Sequence, residues 1–234
     1  MKLFVLGATG STGTLVAEEA LAAGHDVVAY VRSPEKLAAH DRLTAVVGDV
    51  LDVEAMTVAM RGTDAVVSTL GLSSGRPNGF SERAVSTITA AAQRSGVQRV
   101  LIMSAFGVGA SLDKASRLAQ LMYNGGGKAI YADKAAGERA LTASGLDWTL
   151  AYPVLLTNKG RSPRFRAVDL TDLDRLPGLP RVSRADVAGF LLEAATGDAW
   201  SRRTAVLTTG RQPPRGASAA APATSTHADR AVPG

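Results

Sequence analysis

The sequence "LFVLGATGSTGTLVAEEALAAG" at residues 3–24 contains the turn that decides the fold. An apolar run leads into a glycine-rich segment, and a helical pattern follows at once. Between the two, Gly7, Gly10 and Gly13 recur every three residues. A strand that enters a helix through such a turn brings backbone N–H groups and a helix N-terminus against a pyrophosphate. The pattern therefore predicts a nucleotide cradle, and a tight turn without a ligand is the alternative.

The rest of the chain continues this alternation of strands and helices. Strands are predicted at 2–6, 26–31, 43–47, 64–69, 98–103, 147–152 and 204–208, and helices near 12–23, 34–39, 53–60, 81–95, 128–144 and 184–196. The first strands are nearly continuous runs of Val, Leu and Ile, as in a parallel sheet whose two faces are both covered. The alternation predicts an α/β fold, namely a Rossmann-type doubly wound parallel sheet with helices on both faces, in a single domain.

Composition divides the chain into a domain and a tail. Residues 1–210 are predicted to form an NAD(P)-binding domain. Within it, 153–182 shows little periodicity and contains four prolines, which predicts a long irregular, substrate-binding excursion. Residues 211–234 are rich in Pro, Ala, Ser and Thr, with almost no large apolar side chains, and are predicted to be disordered.

Bulk composition excludes several other classes of function. The 234 residues include no cysteine, so disulfides and thiolate chemistry are excluded, and the three histidines are too scattered to predict a metal site. Although the net charge is +5, the basic residues form no stripe interleaved with aromatics, so no nucleic-acid partner is predicted. No leader or apolar run of about 20 residues is visible, so we expect a cytoplasmic protein with no membrane partner.

The end of the second strand indicates which nucleotide is bound. Sites for NAD place a carboxylate there for the ribose 2′-hydroxyl, whereas an arginine accommodates a 2′-phosphate. This strand ends in "AYVRSPEKL", with Arg32 and Ser33 at the expected position. The planar guanidinium suits phosphate oxygens. The sequence thus predicts NADP(H), unless Arg32 is an ordinary surface arginine.

Two later turns extend the predicted site. "VVGDVLD" follows the third strand, where Asp49 and Val50 can meet the adenine. "STLGLSSG" follows the fourth, where Leu70, Gly71 and Leu72 would pass beneath the cofactor. Turn glycines are also common without a ligand. The cofactor site predicted from these turns comprises Gly7, Thr9, Gly10, Ser11, Thr12, Gly13, Arg32, Ser33, Asp49, Val50, Leu70, Gly71 and Leu72.

Taken in order, the segments "GATGSTG", "VRSP", "GDVLD", "IMSAFG", "DKAAGERALTASGLDWTLAYP" and "RVSRADVAGFLLEA" resemble an atypical short-chain dehydrogenase/reductase. The resemblance covers about residues 1–210 and is greatest to the small NAD(P)H-binding group that includes NmrA-like regulators and biliverdin-IXβ/flavin reductases. It implies a Rossmann fold and NADP binding. It leaves the reaction open, because the group includes reductases, epimerases and cofactor sensors.

The same resemblance implies a catalytic set of Ser, Tyr and Lys. Ser104 ends the fifth strand, and the next helix carries Tyr131 and Lys134. In the wider superfamily Ser and Tyr hold the carbonyl oxygen while Lys binds the nicotinamide ribose. Here the Tyr–Lys spacing is three rather than four, although both spacings fall within about 60° of one helix face. Ser104 is alternatively a small residue that ends a buried strand, and Lys134 a solvated helical lysine.

The resemblance also implies that the backbone at Tyr152, Pro153, Val154 and Leu155 meets the nicotinamide carboxamide. The segment 105–127 is either a lid over an apolar pocket or a packed helix between loops. Three arginines of the irregular excursion attract an acidic substrate or form a solvated basic loop: Arg161, Arg164 and Arg166.

These observations predict an NADPH-dependent reductase of a small planar conjugated acceptor, such as a flavin, quinone, enone or ketone. In such an enzyme the cofactor supplies the hydride and the protein supplies proximity and orientation. Two alternatives remain on the same scaffold. One is a tailoring enzyme that isomerises, epimerises or dehydrates its substrate, and the other is an NADP(H) sensor that acts through a protein partner. Nothing in the sequence indicates the oligomeric state.

Overall fold

The strands form one large sheet and one small one in a computed structural model that describes residues 1–71 and 79–210. The strands in this part of the chain are β1 (Lys2–Leu6), β2 (Asp26–Val31), β3 (Leu43–Val47), β4 (Ala65–Ser68), β5 (Arg99–Met103), β6 (Asp147–Pro153), β7 (Leu155–Thr157), β8 (Phe165–Asp169), β9 (Arg181–Ser183) and β10 (Arg203–Thr209). The eight-stranded sheet has the order β3-β2-β1-β4-β5-β6-β10-β8. All its neighbours are parallel except β8, which runs antiparallel to β10.

Helices cover both faces of this sheet. They are α1 (Gly13–Ala22), α2 (Val53–Met60), α3 (Phe80–Ser95), α4 (Arg117–Gly126), α5 (Lys128–Thr142) and α6 (Arg184–Thr196). Helix α1 packs against α6, whereas α2, α3 and α5 pack side by side. Between the layers the strand side chains are buried, among them Phe4, Leu101 and Leu207. The predicted doubly wound α/β fold is confirmed. No helix in the described residues is long and apolar enough to cross a bilayer.

The sheet order reverses direction between β1 and β4. From β1 the chain moves outward through β2 to β3, then returns to the other side of β1. At such a switch point the loops that follow the two strands diverge and leave a crevice at their carboxyl ends. The glycine-rich turn after β1 and the turn after β4 therefore border the same crevice.

Two expectations about local structure were wrong. Instead of a helix over 34–39 the chain forms a single 3₁₀ turn at Pro34–Lys36, because so short a segment cannot offset the cost of helix nucleation without tertiary support. The excursion at 153–182 is not wholly irregular, since it contains β7 and β8 and leads into β9. These strands have three to five residues and pair with distant partners, so they show no useful periodicity. Leu72 and the predicted tail at 211–234 lie outside the described residues.

Candidate active site

A cleft of about 470 Å³ opens at the carboxyl ends of β1 to β4. This is the edge at which open parallel sheets bind ligands, and the cleft lies at the switch point. Its walls include many of the residues predicted to bind the cofactor: Gly7, Thr9, Gly10, Arg32, Asp49, Val50, Leu70 and Gly71. The fold thus brings together residues from four separate turns of the sequence.

The three glycines of the first turn have different structural roles. Gly7 has a φ of +81°, and a Cβ there would lie 2.7 Å from Thr69 Oγ1. A Cβ on Gly13 would overlap the carbonyl oxygen of Gly7 and lie 2.6 Å from Thr69 Oγ1. Gly10 is exposed at the cleft, and its Cβ would meet a single atom, the Gly7 carbonyl oxygen at 3.3 Å. Packing within the turn therefore explains Gly7 and Gly13. At Gly10 the backbone N–H donates to the Gly7 carbonyl oxygen at 2.9 Å, and the missing side chain leaves space for a ligand at the cleft.

The start of α1 offers an anion site beside Gly10. Thr12 occupies the N-cap position, but its side chain makes no capping hydrogen bond and is buried. The N–H groups of a first helical turn have no partner within the helix, and they carry partial positive charge. Thr9 and Ser11 are exposed on the same turn, whereas Thr12 and Gly13 lie inside it. This geometry fits a diphosphate held by backbone donors.

Arg32 lies on the rim of the cleft directly after β2. Its side chain is exposed and forms no hydrogen bond or salt bridge with any described residue. Across the cleft the exposed Asp49 accepts a 2.9 Å hydrogen bond at Oδ1 from the Leu51 N–H. The Tyr30 hydroxyl donates a 3.1 Å hydrogen bond to the Asp49 carbonyl oxygen and so fixes the turn after β3. Arg32 is thus a cation on the rim that is available to a ligand phosphate.

A group of buried polar side chains lies at the end of β5, beyond the Leu70 wall of the cleft. The Ser104 side chain is buried, and its backbone N–H donates a 2.8 Å hydrogen bond to the Ala151 carbonyl oxygen. Nearby, the Tyr152 hydroxyl donates a 2.5 Å hydrogen bond to Glu138 Oε2. The Ser104 hydroxyl lies close enough to Glu138 to lower the pKa of the carboxyl group. Even so, neither Ser104 Oγ nor Glu138 Oε1 completes a hydrogen bond of normal geometry within the described residues.

Lys134 completes this group from one turn earlier on α5. Burial lowers the pKa of its ammonium group, and the charges of Glu138 and Asp133 act in the opposite direction. For Glu138 burial raises the pKa, while the hydroxyls of Ser104 and Tyr152 and the charges of Lys134 and Arg139 lower it. Burial therefore favours the neutral form of both side chains, and each partner's charge favours ionisation of the other.

Tyr131 is placed differently from the other predicted catalytic residues. Its ring packs edge-on against Tyr123, with the ring centroids 5.2 Å apart. Burial, and next the neighbouring Tyr123, raise the pKa of Tyr131 to about 12. The charge of Lys134 has no resolved effect on the pKa of Tyr131, whereas it lowers the pKa of Glu138. The structure thus groups Ser104 with Lys134 and leaves Tyr131 in an apolar setting that disfavours the tyrosinate.

The end of β6 forms an apolar wall next to this group. Val154 and Leu155 line a small cavity together with Phe106 and Tyr123. The Val154 N–H donates to the Leu207 carbonyl oxygen at 3.1 Å, and the Pro153 carbonyl accepts from the Phe106 N–H at 3.0 Å. These two backbone groups are therefore already paired within the protein. The predicted carboxamide contacts would have to come from other groups of this segment.

The segment 105–127 folds as a 3₁₀ helix at Gly109–Lys114 followed by α4. Phe106 is buried, whereas Leu118 and Leu121 on α4 are exposed. The segment that was expected to be either a lid or a packed helix is therefore packed on one side, and its helix α4 exposes apolar side chains on the other. Of the three arginines in the excursion, Arg161 forms a 2.5 Å salt bridge with Glu19.

Sequence reasoning missed Glu138. A glutamate four residues after a lysine on a helix is usually a solvated pair on the surface, so the spacing drew no attention. What sets Glu138 apart is the Tyr152 hydroxyl, which reaches it from β6. The "GER" and "AYP" segments that carry the two residues are not adjacent in the sequence, so only the fold reveals the contact.

Known proteins resemble this chain in sequence and in fold. The sequence matches the NAD(P)H-binding family over residues 7–198. A 3-beta-hydroxysteroid dehydrogenase from Mycolicibacterium neoaurum is 33% identical over 110 residues, in a match that covers 42% of this chain and only 30% of that protein. ChuY, an anaerobillin reductase from Escherichia coli O157:H7, superimposes with a TM-score of 0.75 at 23% identity over 92% of this chain and 100% of ChuY.

A short-chain dehydrogenase/reductase from Veillonella parvula, solved in complex with NADP, gives a TM-score of 0.73 at 16% identity over 88% of this chain and 93% of its own. At such identities a structural likeness shows the fold. The family match is a match in sequence, and it covers most of the chain, from the glycine-rich turn to just beyond α6. On that match the resemblance inferred from the motifs is confirmed, and the chain belongs to the NAD(P)H-binding family.

Proposed function

We propose that the chain is an NADPH-dependent reductase of a small planar conjugated acceptor. The proposal rests on one observation, which is that the cleft and the cavity beside it share two lining residues. Leu70 and Phe80 border both the 470 Å³ cleft and the cavity that holds Ser104, Lys134 and Glu138. A dinucleotide laid along the cleft would end beside these side chains. Titratable groups next to a redox cofactor are suited to supply the proton that accompanies a hydride.

The residues of the cleft fit the dinucleotide and its 2′-phosphate. The first turn of α1 would hold the diphosphate through backbone donors, and Gly10 would leave room for it to approach. Arg32 has no partner among the described residues, so it is free to bind the 2′-phosphate through a charge-assisted contact. Asp49 and Val50 would face the adenine. When bound, the cofactor supplies a hydride, and the protein orients the acceptor against it.

The walls near the reacting end favour a flat apolar acceptor. Tyr123 on α4 and Leu155 after β6, which are not buried, provide aromatic and aliphatic surface. Such surfaces bind conjugated rings, while a few polar groups fix their orientation. The Ser104 hydroxyl is suited to meet a carbonyl or ring heteroatom. The fold shared with an anaerobillin reductase and with an NADP complex supports this choice of chemistry.

The test is an acceptor panel. The purified chain is mixed with NADPH and with flavins, quinones, enones and ketones, and loss of the NADPH absorbance is followed. We expect turnover with one acceptor class and slower turnover with NADH. Tight NADPH binding without oxidation by any acceptor would contradict the proposal and favour a sensor or a non-redox enzyme.

A further inference from the structure

A small, partly open cavity lies behind the candidate active site, between β4, β5, α3 and α5. Its volume is about 20 Å³, and its walls are apolar except at a few side chains that include Ser104, Lys134 and Glu138. One buried water needs about 10–15 Å³ and two to four polar partners. The cavity therefore has both the size and the donors and acceptors for a single water molecule.

Two of the polar atoms at this cavity require a partner. Ser104 is 6% exposed and Glu138 is 7% exposed. The Ser104 hydroxyl lies close enough to Glu138 to lower the pKa of the carboxyl group, but neither Ser104 Oγ nor Glu138 Oε1 completes a hydrogen bond of normal geometry among the described residues. Buried polar atoms in proteins are almost always paired with protein or ordered water. Because the two groups lie close together, one water beside them could bond to both atoms and connect the serine hydroxyl to the carboxyl group.

We propose that one water molecule links Glu138 to Ser104 in this cavity, and that Glu138 thereby supplies the proton that accompanies hydride transfer to the acceptor. This inference rests on the proposed reductase function. It makes Ser104 the group that touches the acceptor, and Glu138 a proton-supplying residue that acts through Ser104. Tyr131, which does not line the cavity, has no part in the transfer.

The proton and electron balance is simple. The hydride carries two electrons from NADPH, which is oxidised, and forms a new bond to a carbon or nitrogen of the acceptor, which is reduced. The acceptor heteroatom then takes the Ser104 hydroxyl proton. Ser104 Oγ regains a proton from the water, and the water regains one from the Glu138 carboxyl group. Lys134 is only half-buried and is placed to return a proton from solvent to the carboxylate.

The electrostatics of the cavity support a carboxyl group that can hold this proton. Burial raises the pKa of Glu138. The groups that oppose this effect come from three places: Ser104 after β5, Tyr152 on β6, and Lys134 and Arg139 on α5. Asp133 acts on the neighbouring Lys134. An acid with a raised pKa retains its proton closer to neutral pH, where a general acid is most effective.

The first experiment replaces the acid without removing its contact. In Glu138→Gln the amide oxygen can still accept from the Tyr152 hydroxyl, but the side chain cannot give a proton. With NADPH and the best acceptor of the panel, we expect kcat to fall by about 10²-fold and the loss of activity at alkaline pH to disappear, with NADPH affinity unchanged. Glu193→Gln, an exposed glutamate on α6, is the matched control. A wild-type pH profile in Glu138→Gln would overturn the proposal.

A second variant keeps the test valid if Glu138→Gln folds poorly. Tyr152→Phe removes a hydrogen bond that lowers the Glu138 pKa, so the carboxyl group should lose its proton at higher pH. The alkaline limb of the kcat profile should then move to higher pH. A limb that stays in place or moves to lower pH would contradict the assignment to Glu138.

Infrared spectroscopy of the protein alone separates this inference from the proposed function. A pH titration should show the carbonyl band of a carboxylic acid that persists above the ordinary glutamate range. The band should vanish in Glu138→Gln and remain in Glu193→Gln. Its absence from the wild-type protein would overturn the inference even if the enzyme reduces an acceptor. Failure of every acceptor would instead overturn the function. A crystal structure should show one water bound to Ser104 Oγ and Glu138 Oε1, and a dry cavity would contradict the link.

Discussion

The Cα of Gly13 lies against the carbonyl group of Gly7, so a methyl group there would lie 2.6 Å from the Gly7 carbonyl carbon. Gly13→Ala should therefore lower the free energy of unfolding by about 1–3 kcal/mol through overpacking. Gly10→Ala should leave it within about 1 kcal/mol but weaken NADPH binding, since its Cβ would enter the cradle. Thermal unfolding and NADPH titration of both variants measure the two effects. Equal loss of binding without loss of stability in Gly13→Ala would contradict the division of roles.

Arg32 should decide between the two nicotinamide cofactors. Arg32→Ala removes an exposed cation that has no partner among the described residues, so stability should be unchanged. The affinity for NADPH should fall several-fold to tens of fold through loss of a charge-assisted contact, while the affinity for NADH changes little. Fluorescence titration with both cofactors measures this, and Arg61→Ala, at an exposed position after α2, is the control. Equal weakening of both cofactors would contradict the assignment to the 2′-phosphate.

The parts of the structure that sequence could predict are those fixed by local patterns. The strands β1, β2 and β3 begin and end as predicted, because buried parallel strands are continuous apolar runs bounded by turns. The glycine turn and the position of Arg32 follow from the same βαβ pattern. The strands β7, β8 and β9 could not be predicted, since each is stabilised by a partner far along the chain.

The group of catalytic residues could be predicted only in part, because its contacts also join distant parts of the chain. The residue types and their order led to Ser104, Tyr131 and Lys134. Which of them share an environment depends on packing across α5, β5 and β6. Lys134 interacts with Glu138 and Asp133, whereas the Tyr131 ring packs against Tyr123. That coupling depends on burial, which a single sequence does not reveal.

Removal of the hydroxyl group should lower kcat strongly at Ser104 and only slightly at Tyr131. Ser104→Ala removes the hydroxyl at the end of β5 and should lower kcat by about 10²-fold. Tyr131→Phe keeps the edge-on packing against Tyr123. Because Tyr131 does not line the cavity that contains Ser104 and Glu138, its hydroxyl lies off the proposed proton path, and kcat should change little. Steady-state kinetics with NADPH measure both, and a larger loss in Tyr131→Phe would restore the tyrosine as the acid.

Arg99 should stabilise the fold without affecting the cofactor. It is buried at the start of β5, opposite the cleft, where it donates to Thr149 Oγ1 at 2.6 Å, to the Ala194 carbonyl at 2.7 Å and to Asp147 Oδ1 at 3.1 Å. Arg99→Met should cost about 3 kcal/mol of unfolding free energy, because it leaves buried acceptors unpaired.

The control is Arg203→Met, which breaks a 3.7 Å ion pair on the surface worth about 0–1 kcal/mol. Chemical denaturation measures both variants. The NADPH dissociation constant should be unchanged in each, and a loss of NADPH affinity in Arg99→Met would show that the two ends of the sheet are coupled.

The buried carboxyl group of Glu138 should make stability depend on pH with a defined sign. Burial raises its folded-state pKa above the ordinary 4.5, so the folded protein binds more protons than the unfolded chain between these two values. Stability must then fall as the pH rises through that interval, by at most about 1.4 kcal/mol per pH unit. Glu138→Gln has no carboxyl group to titrate, so it should not show this pH-dependent loss of stability. Its melting temperature should therefore rise relative to wild type from pH 4.5 towards neutrality, whereas the melting temperature of Glu193→Gln should follow wild type. A constant difference between Glu138→Gln and wild type at every pH would mean that the carboxyl group titrates alike in the folded and unfolded chains, and that it holds no proton to give.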